Sequence, residues 1–456
     1  MAPQRKIDVV LDSVRRLLRI GATANLANLL QKQHPADLAQ VLAELQERDR
    51  KAAFSVLVER SPKLAMEAVS ELGPETGAQL LADRSAEEIA KLIQEIPSDD
   101  AARLVDHLPE DLSSAVLELM RPRESGQVEN LLEYPEKTAG RIMNPNVFAL
   151  SEDLTVGEAI TALQGARDVE MVFYLYVVDA RRHLVGVTSL RRLLLVSPET
   201  PLKRIMTPDV TSVRVDTDQE EAARLVASYN LLAIPVVDEE NKLAGVVTVD
   251  DVIDVIKDEA TEDIYRLAGV SRDERVFTPP GESLRMRFPW LVVNLATAFL
   301  AAGVVGLFQG AISQVTALAI FMPIVAGMGG NAATQTLTVI VRGLALGELT
   351  WANARKALTK ELLVGLANGV GNGLIAAVVA VAFRASPMIG VLLAAAMVIN
   401  LCVAAAAGTL IPLGLKALKI DPALASTVFI TTFTDVAGFA SFLGLATIFL
   451  PYLRTG

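Results

Sequence analysis

The sequence predicts a multidomain chain in three parts. These are an all-α helical-repeat N domain, an α/β domain made of two copies of one module, and an all-α domain of five transmembrane helices. Three observations carry this expectation. Capped amphipathic segments recur through residues 20–135, the unit Arg-Ile-Met at Arg141 returns at Arg204, and five apolar stretches follow Phe288. The expected limits are 1–138 for the N domain, 139–200 and 201–257 for the modules, 258–284 for a connecting helix and linker, and 285–456 for the membrane part.

In the N domain, "HPADLAQVLAEL", "SAEEIAKLIQEI", "PSDDAARLVDHL" and "PEDLSSAVLELM" each open with a capping residue or proline. Acids follow in the first turn, then apolar residues at helical spacing. Helical units of this size stack into a solenoid-like domain. A scaffold is the simplest role for it, but acids such as Asp99 and Asp100 are also suited to face a partner domain.

In the duplication, "YVVDARRHLVGVTSL" from Tyr176 parallels "PVVDEENKLAGVVTV" from Pro235. Each copy reads as a strand-like start, a helix, two β-rich runs joined by a turn, and a closing helix. The pair resembles tandem cystathionine-β-synthase (CBS) modules. Their ending, Gly-h-h-[Ser/Thr]-x-x-Asp, is matched by Gly245, Thr248 and Asp251, whereas the first copy has Gly186, Ser189 and Arg192. The resemblance implies an adenine nucleotide such as ATP, with the Asp on the ribose and Tyr174, Ser189 and Thr248 as further candidate contacts. Arg192 argues against nucleotide at the first copy.

A charged helix follows, "VDDVIDVIKDEATEDIYRL". Asp250, Asp254, Asp258 and Glu262 recur every fourth residue, and Glu259 and Asp263 repeat in phase with Asp251. Like charges at that spacing repel by roughly 0.2–0.5 kcal/mol per pair. The stripe is either a solvated face or a set of hard oxygen ligands, which suit Mg²⁺ or Ca²⁺ rather than zinc.

Charge divides the chain. Residues 288–456 carry eight Lys/Arg against four Asp/Glu, a balance of +4, and the first 287 carry 34 against 49, a balance of −15. An acidic half joined to an apolar half excludes nucleic acid as partner and favours cations. The single cysteine, Cys402, allows no intrachain disulfide. The opening "MAPQRKIDVVLDSVRR" has no apolar core, so no cleavable signal is expected. His34, His107 and His183 are scattered without metal-ligand spacing.

The apolar stretches run near 288–309, 315–341, 361–383, 387–415 and 423–452, each long enough to cross a bilayer core. Arg285, Arg287, Arg342, Arg355, Lys356, Lys360, Lys416 and Lys419 fall on the N-terminal side of the crossings, and Arg384 and Arg454 on the other. The basic side is cytoplasmic, so the soluble half is expected in the cytoplasm and the C-terminus on the far side of the membrane.

Two spans are unusual. The second reads "MPIVAGMGGNAATQTLTVIVRG", a broken helix in expectation, with Pro323 and three glycines, then oxygens from Asn331, Thr334, Gln335, Thr336 and Thr338. The fifth carries Thr431, Thr432, Thr434 and Asp435. A carboxylate at mid-membrane costs roughly 2.5–3.5 kcal/mol on insertion scales, so it marks an ion pathway or a buried polar pairing. The reading is a transport protein and not an enzyme. An intramembrane aspartyl protease needs a pair of acids within one chain, and Asp435 is the only mid-membrane acid.

Together with the acidic helical N domain, the CBS pair and the acidic helix, "PIVAGMGGNAATQ" and "DPALASTVFITTFTDVAGF" resemble the MgtE family of bacterial magnesium channels or transporters. The resemblance covers essentially the whole chain. It implies a lipid-embedded homodimer with one pore on its two-fold axis, lined by Asp435 with Asn331, Thr334, Gln335, Thr431 and Thr434. It also implies closure by cytosolic Mg²⁺ held among Asp99, Asp100, Asp218, Glu220, Asp250, Asp251, Asp254, Glu259, Glu262, Asp263 and Asp421. The helix from about Asp251 to Gly269 would plug the pore. Asn230 stands where some relatives have an acid. A proton- or ion-coupled divalent cation carrier with a regulatory CBS pair is the alternative.

Overall fold

The computed structural model describes residues 3–166, 174–271, 273–276, 278–383, 385–425 and 427–454. The chain divides into two compact units, Met1–Ile256 and Lys257–Gly456.

The first unit opens with helices α1 (Pro3–Arg19), α2 (Thr23–Leu30), α3 (Pro35–Ala43), α4 (Glu47–Arg60), α5 (Pro62–Leu72), α6 (Pro74–Leu81), α7 (Ala86–Ile93), α8 (Ser98–Asp106), α9 (Glu110–Leu119) and α10 (Pro122–Glu133). Local chemistry sets their starts. Proline occupies the first position of α3, α5, α6 and α10, where its missing N–H has no helical partner to lose. Ser85 Oγ accepts from Glu88 N at 3.3 Å to cap α7, and His34 Nδ1 accepts from Ala36 N at 3.3 Å to cap α3. Leu38, Leu42, Phe54, Leu57, Met66 and Leu81 fill the core between the stacked helices.

The duplicated modules then repeat one topology. After the short α11 (Ala139–Ile142), the first has β1 (Ala149–Ser151), α12 (Val156–Gly165), β2 (Tyr174–Val178), β3 (Leu184–Ser189) and α13 (Leu190–Leu195). After α14 (Leu202–Ile205), the second has β4 (Val213–Arg214), α15 (Gln219–Tyr229), β5 (Ala233–Val237) and β6 (Leu243–Thr248). In each, the first strand runs parallel and the last antiparallel to the middle one. Thr155 and Glu158 form a reciprocal capping box at α12. Asn230 ends α15 at φ 51°, ψ 45°, a left-handed position that an acid tolerates less well than asparagine. That is a backbone reason for the residue at this place.

Helix α16 (Val249–Ala268) begins in the first unit and ends in the second. Gly269, at φ +68°, terminates it, and Val270 N donates to Tyr265 O at 2.9 Å in the manner of a Schellman cap.

The second unit holds α17 (Pro280–Leu307), α18 (Gln309–Gln314), α19 (Ala317–Ala345), α20 (Ala354–Ala382), α21 (Pro387–Ala417), a 3₁₀ turn at Pro422–Leu424, α22 (Thr427–Ile448) and α23 (Leu450–Arg454). Among the described residues, α17, α19, α20, α21 and α22 are long and apolar enough to cross a membrane. Glycines let α20 lie close on α21. A Cβ at Gly369 would fall 2.7 Å from Val398 Cα, and one at Gly365 2.8 Å from Leu401 O.

The expected break in the second span does not occur: α19 is continuous for 29 residues. Pro323 lies in its second turn and removes one backbone donor there without interrupting the helix. Gly327, Gly329 and Gly330 stay helical; Gly327 faces open space, while Gly329 and Gly330 serve close packing, with a Cβ at Gly330 only 3.3 Å from Thr431 Cγ2. The third span starts seven residues before its expected limit, at Ala354, because Arg355, Lys356 and Lys360 form an exposed helical turn ahead of the apolar run. Arg384 lies outside the described residues.

Candidate cation site

Helices α19 and α22 pack along each other. A Cβ at Gly438 would fall 3.3 Å from Val325 Cγ1, and Gly330 meets Thr431, so the two helices run antiparallel. Asp435 lies between those two levels, one turn beyond Thr431. Its carboxylate is half-buried and has no hydrogen-bond or ion-pair partner among the described residues. Asn331 and Gln335 lie exposed, one turn apart on α19, and are likewise unpartnered. Thr334 is half-buried and Thr434 fully buried. Their hydroxyls donate within their own helices, Thr334 Oγ1 to Gly330 O at 3.0 Å and Thr434 Oγ1 to Thr431 O at 2.9 Å. Thr431 Oγ1 donates to Val428 O at 3.1 Å. The threonines therefore satisfy themselves, while the carboxylate and two amides keep free oxygens.

The last turn of α16 docks on the ends of these helices. Leu267 packs in a cluster with Ala333, Leu337, Val341, Ala423 and Ile430. Thr427 Oγ1 donates to Leu267 O at 3.2 Å. Arg266 pairs with both Glu262 and Asp421, and Asp421 Oδ1 accepts from Ala423 N at 2.8 Å. Asp421, expected as a metal-bridging acid, thus has a built-in cation in Arg266, a residue that reading for acids alone passes over.

In the first unit, α8 brings Asp99 and Asp100 against the start of α16. Asp99 is 6% exposed and its Oδ1 has no protein donor. Burial, then the neighbouring Asp251 and Asp100 charges, push its carboxyl well above the ordinary range. Burial raises Asp251 to about 6, opposed by Thr248, whose Oγ1 donates to Asp251 Oδ2 at 2.5 Å. Burial also raises Asp100, opposed by the Arg103 charge, with Asp250 and Asp254 adding repulsion. Arg103 reaches Asp100 and Asp254, each at 3.9 Å. Among the described residues, no group of three or more His, Cys, Asp or Glu side chains has the spacing of a metal centre.

The remaining expected positions serve local structure as well. Asp218 caps α15, accepting from Glu220 N at 2.8 Å. Tyr174 and Ser189 are register partners across β2 and β3, and Ser189 Oγ caps α13 by accepting from Arg192 N at 3.3 Å. Asp258, Glu259, Glu262 and Asp263 all have electrostatic or hydrogen-bond partners. Glu361 and Asn400 are among the buried polar groups that the sequence reading did not select. Glu361 on α20, 5% exposed, accepts from Thr336 Oγ1 at 3.2 Å and from Lys360 Nζ at 2.5 Å. Asn400 on α21 is fully buried. The signal for each was a polar residue inside an apolar run.

Known proteins share this plan. The MgtE divalent cation transporter model matches residues 322–445, the MgtE intracellular N domain model 33–137, and the CBS domain model 139–199 and 202–258. The magnesium transporter MgtE of Thermus thermophilus is 38% identical over 336 residues, 73% of this chain and 74% of that protein. The magnesium transporter MgtE of Bacillus subtilis is 36% identical over 338 residues, 74% of this chain and 75% of that protein. A crystal structure of the cytosolic domain of the Mg²⁺ channel MgtE in complex with ATP is 38% identical. It covers 54% of this chain and 99% of its own length, with a TM-score of 0.51. The chain belongs to the MgtE family of divalent cation transporters.

Proposed function

We propose that this protein carries Mg²⁺ across a bacterial inner membrane into the cytoplasm, through a pathway lined by Asp435, Asn331 and Gln335. The observation that carries the reading is the unpartnered Asp435 carboxylate on a membrane-crossing helix, where a bare charge is costly unless a cation compensates it. Asn331 and Gln335 lie at the protomer surface and not inside the five-helix bundle, which favours a second copy as the opposite wall of the pathway. Mg²⁺ dehydrates reluctantly, so carboxylate and amide oxygens hold it through its waters. The helical and CBS domains lie in the cytoplasm in this reading, on the side of the basic segment ends.

Closure is proposed to follow cytosolic Mg²⁺. The Asp99–Asp251 contact brings buried carboxylates together without a cation between them, so a divalent ion favours the joined state. Several such sites are needed, because a shift from mostly open to mostly closed takes about 5.5 kcal/mol. Asp421 pairs with Arg266 in the last turn of α16, which ties that turn to the membrane helices.

For ATP, the second module has the fitting residues: Asp251 with Thr248 beside it would hold a ribose hydroxyl. The first module does not fit, since exposed Arg192 stands at the acid's position. ATP binding should be lost in Asp251→Ala and kept in Arg192→Ala. Loss in Arg192→Ala alone would reverse the assignment.

The decisive test is uptake into liposomes. Asp435→Ala should fold and assemble as wild type and carry no Mg²⁺. Wild-type uptake by that variant would make Asp435 a packing residue. Unitary currents in patches, closing as Mg²⁺ on the cytoplasmic face rises, separate a channel from a coupled carrier.

A further inference from the structure

Asn400 lies within α21, the most apolar of the five spans with mean hydropathy 2.5, and is completely buried. A carboxamide in such a place is unfavourable unless its hydrogen bonds are made. Asn400 Nδ2 donates to Val325 O of α19 at 2.8 Å, and Oδ1 has no donor among the described residues. The group is therefore held by one directional bond and by what closes around it.

Two glycines close around it, one from each helix of the cation pathway. A Cβ at Gly329 of α19 would overlap the Asn400 amide, and one at Gly438 of α22 would come within 2.7 Å of Nδ2. Real Cβ atoms do not approach so near, so both positions are shaped to this side chain. In a regular helix the Val325 carbonyl also receives the Gly329 N–H, so Asn400 grips a single turn of α19 from both ends. Gly329 lies two residues before Asn331, and Gly438 three residues after Asp435. One amide on a third helix thus touches α19 and α22 beside the residues whose oxygens line the pathway.

We propose that Asn400 is a positioning residue for ion passage. It sets the separation and register of α19 against α22, and through them the width of the pathway at Asp435. The inference rests on the proposed transport reading. Its physical basis is that selectivity for a hydrated ion depends on pore dimensions and on oxygen placement. A leucine shares the branching of asparagine but is bulkier and holds neither helix in register, because dispersion contacts have no direction.

The test uses the full chain in liposomes, with Mg²⁺ uptake measured per folded protein and Ca²⁺ as competitor. Asn400→Leu should fold, lower uptake roughly tenfold, and shift the Ca²⁺ concentration that halves Mg²⁺ uptake by about threefold or more. Gly438→Ala, which leaves the amide but crowds it, should shift the same competition. Normal uptake and competition with only a lowered melting temperature would reduce Asn400 to a packing contact and overturn the proposal. If Asn400→Leu does not fold, Gly438→Ala decides by the same criterion. If the wild type carries no Mg²⁺, the transport reading itself fails and hydrogen exchange decides the placement. Faster exchange in Asn400→Leu confined to residues 325–335 and 434–440 supports a local clamp, and a uniform increase overturns it.

Discussion

Helix α16 brings carboxylates into two contacts, and only one of them is supplied with a full cation. At its end, Glu262 and Asp421 share Arg266, a guanidinium whose planar fork suits two carboxylates at once. At its start, Asp251 meets Asp99, whose Oδ1 has no donor, and Arg103 approaches only the flanking Asp100 and Asp254, each at 3.9 Å. The difference shows in the titration of the groups. Burial pushes up Asp99, Asp100 and Asp251, and neighbouring carboxylates, Asp250 and Asp254 among them, add to it. Acids with a built-in partner form a fixed joint. Acids without one form a joint whose strength depends on what the solution offers, a proton or a divalent ion.

The sharpest way to break this contrast is to neutralise the start of the helix. In Asp99→Asn combined with Asp251→Asn, limited proteolysis of residues 130–280 should no longer respond to Mg²⁺. In the wild type, protection should grow as Mg²⁺ rises through millimolar levels. The amides keep the shape and lose both repulsion and ligands, so the whole response should vanish. Identical protection curves would place the sensor elsewhere.

Much of this plan was legible in the chain. The duplicated modules follow from the repeat of Arg141 and Arg204 and from paired β-rich runs, because alternation and turn residues are local signals. The lone Asp435 was legible because a charge inside an apolar run has few explanations. The pairing of α8 with α16 was not, since Asp99 and Asp251 lie 152 residues apart and no local pattern couples them. Arg266 was hidden for a different reason: a stripe of acids reads as ligands, and the base one turn beyond Glu262 reads as helix-end charge complementing the dipole. The expected break at Pro323 failed because a single lost donor does not by itself end a helix, and helical glycines permit close packing without requiring a bend.

A second, smaller effect exchanges the two behaviours. Arg266→Gln leaves Glu262 and Asp421 together without their guanidinium. The end of α16 should then become cation-dependent in its turn. Hydrogen exchange of residues 262–269 should slow several-fold on adding Mg²⁺ in the variant and hardly change in the wild type. Equal Mg²⁺ sensitivity in both would mean that Arg266 is not what satisfies those acids.

The smallest effect is a pH dependence set by the acids at the start of α16. Asp251 titrates at about 6 in the folded protein against an ordinary 3.8, and Asp99 and Asp100 shift the same way. The folded state binds more protons than the unfolded state between those values, so these groups stabilise it fully below about pH 4, and the contribution is lost as pH rises through their folded values. Without divalent ions, the first unit should therefore melt a few degrees lower at pH 7.5 than at pH 5.5, on the scale of 2–4 °C per kcal/mol for a body of this size. Carboxylates held low by partners, such as Asp216 beside Arg214, have finished titrating below that window and contribute no slope there. The measurement is a difference between wild type and Asp251→Asn, in which contributions common to both proteins cancel. Mg²⁺ at pH 7.5 should restore the lost stability in wild type, standing in for the protons, and should have little to restore in the variant. Wild-type stability that rises with pH relative to the variant would mean that Asp251 gains a cationic partner in the folded chain, and the contrast with Arg266 would be gone.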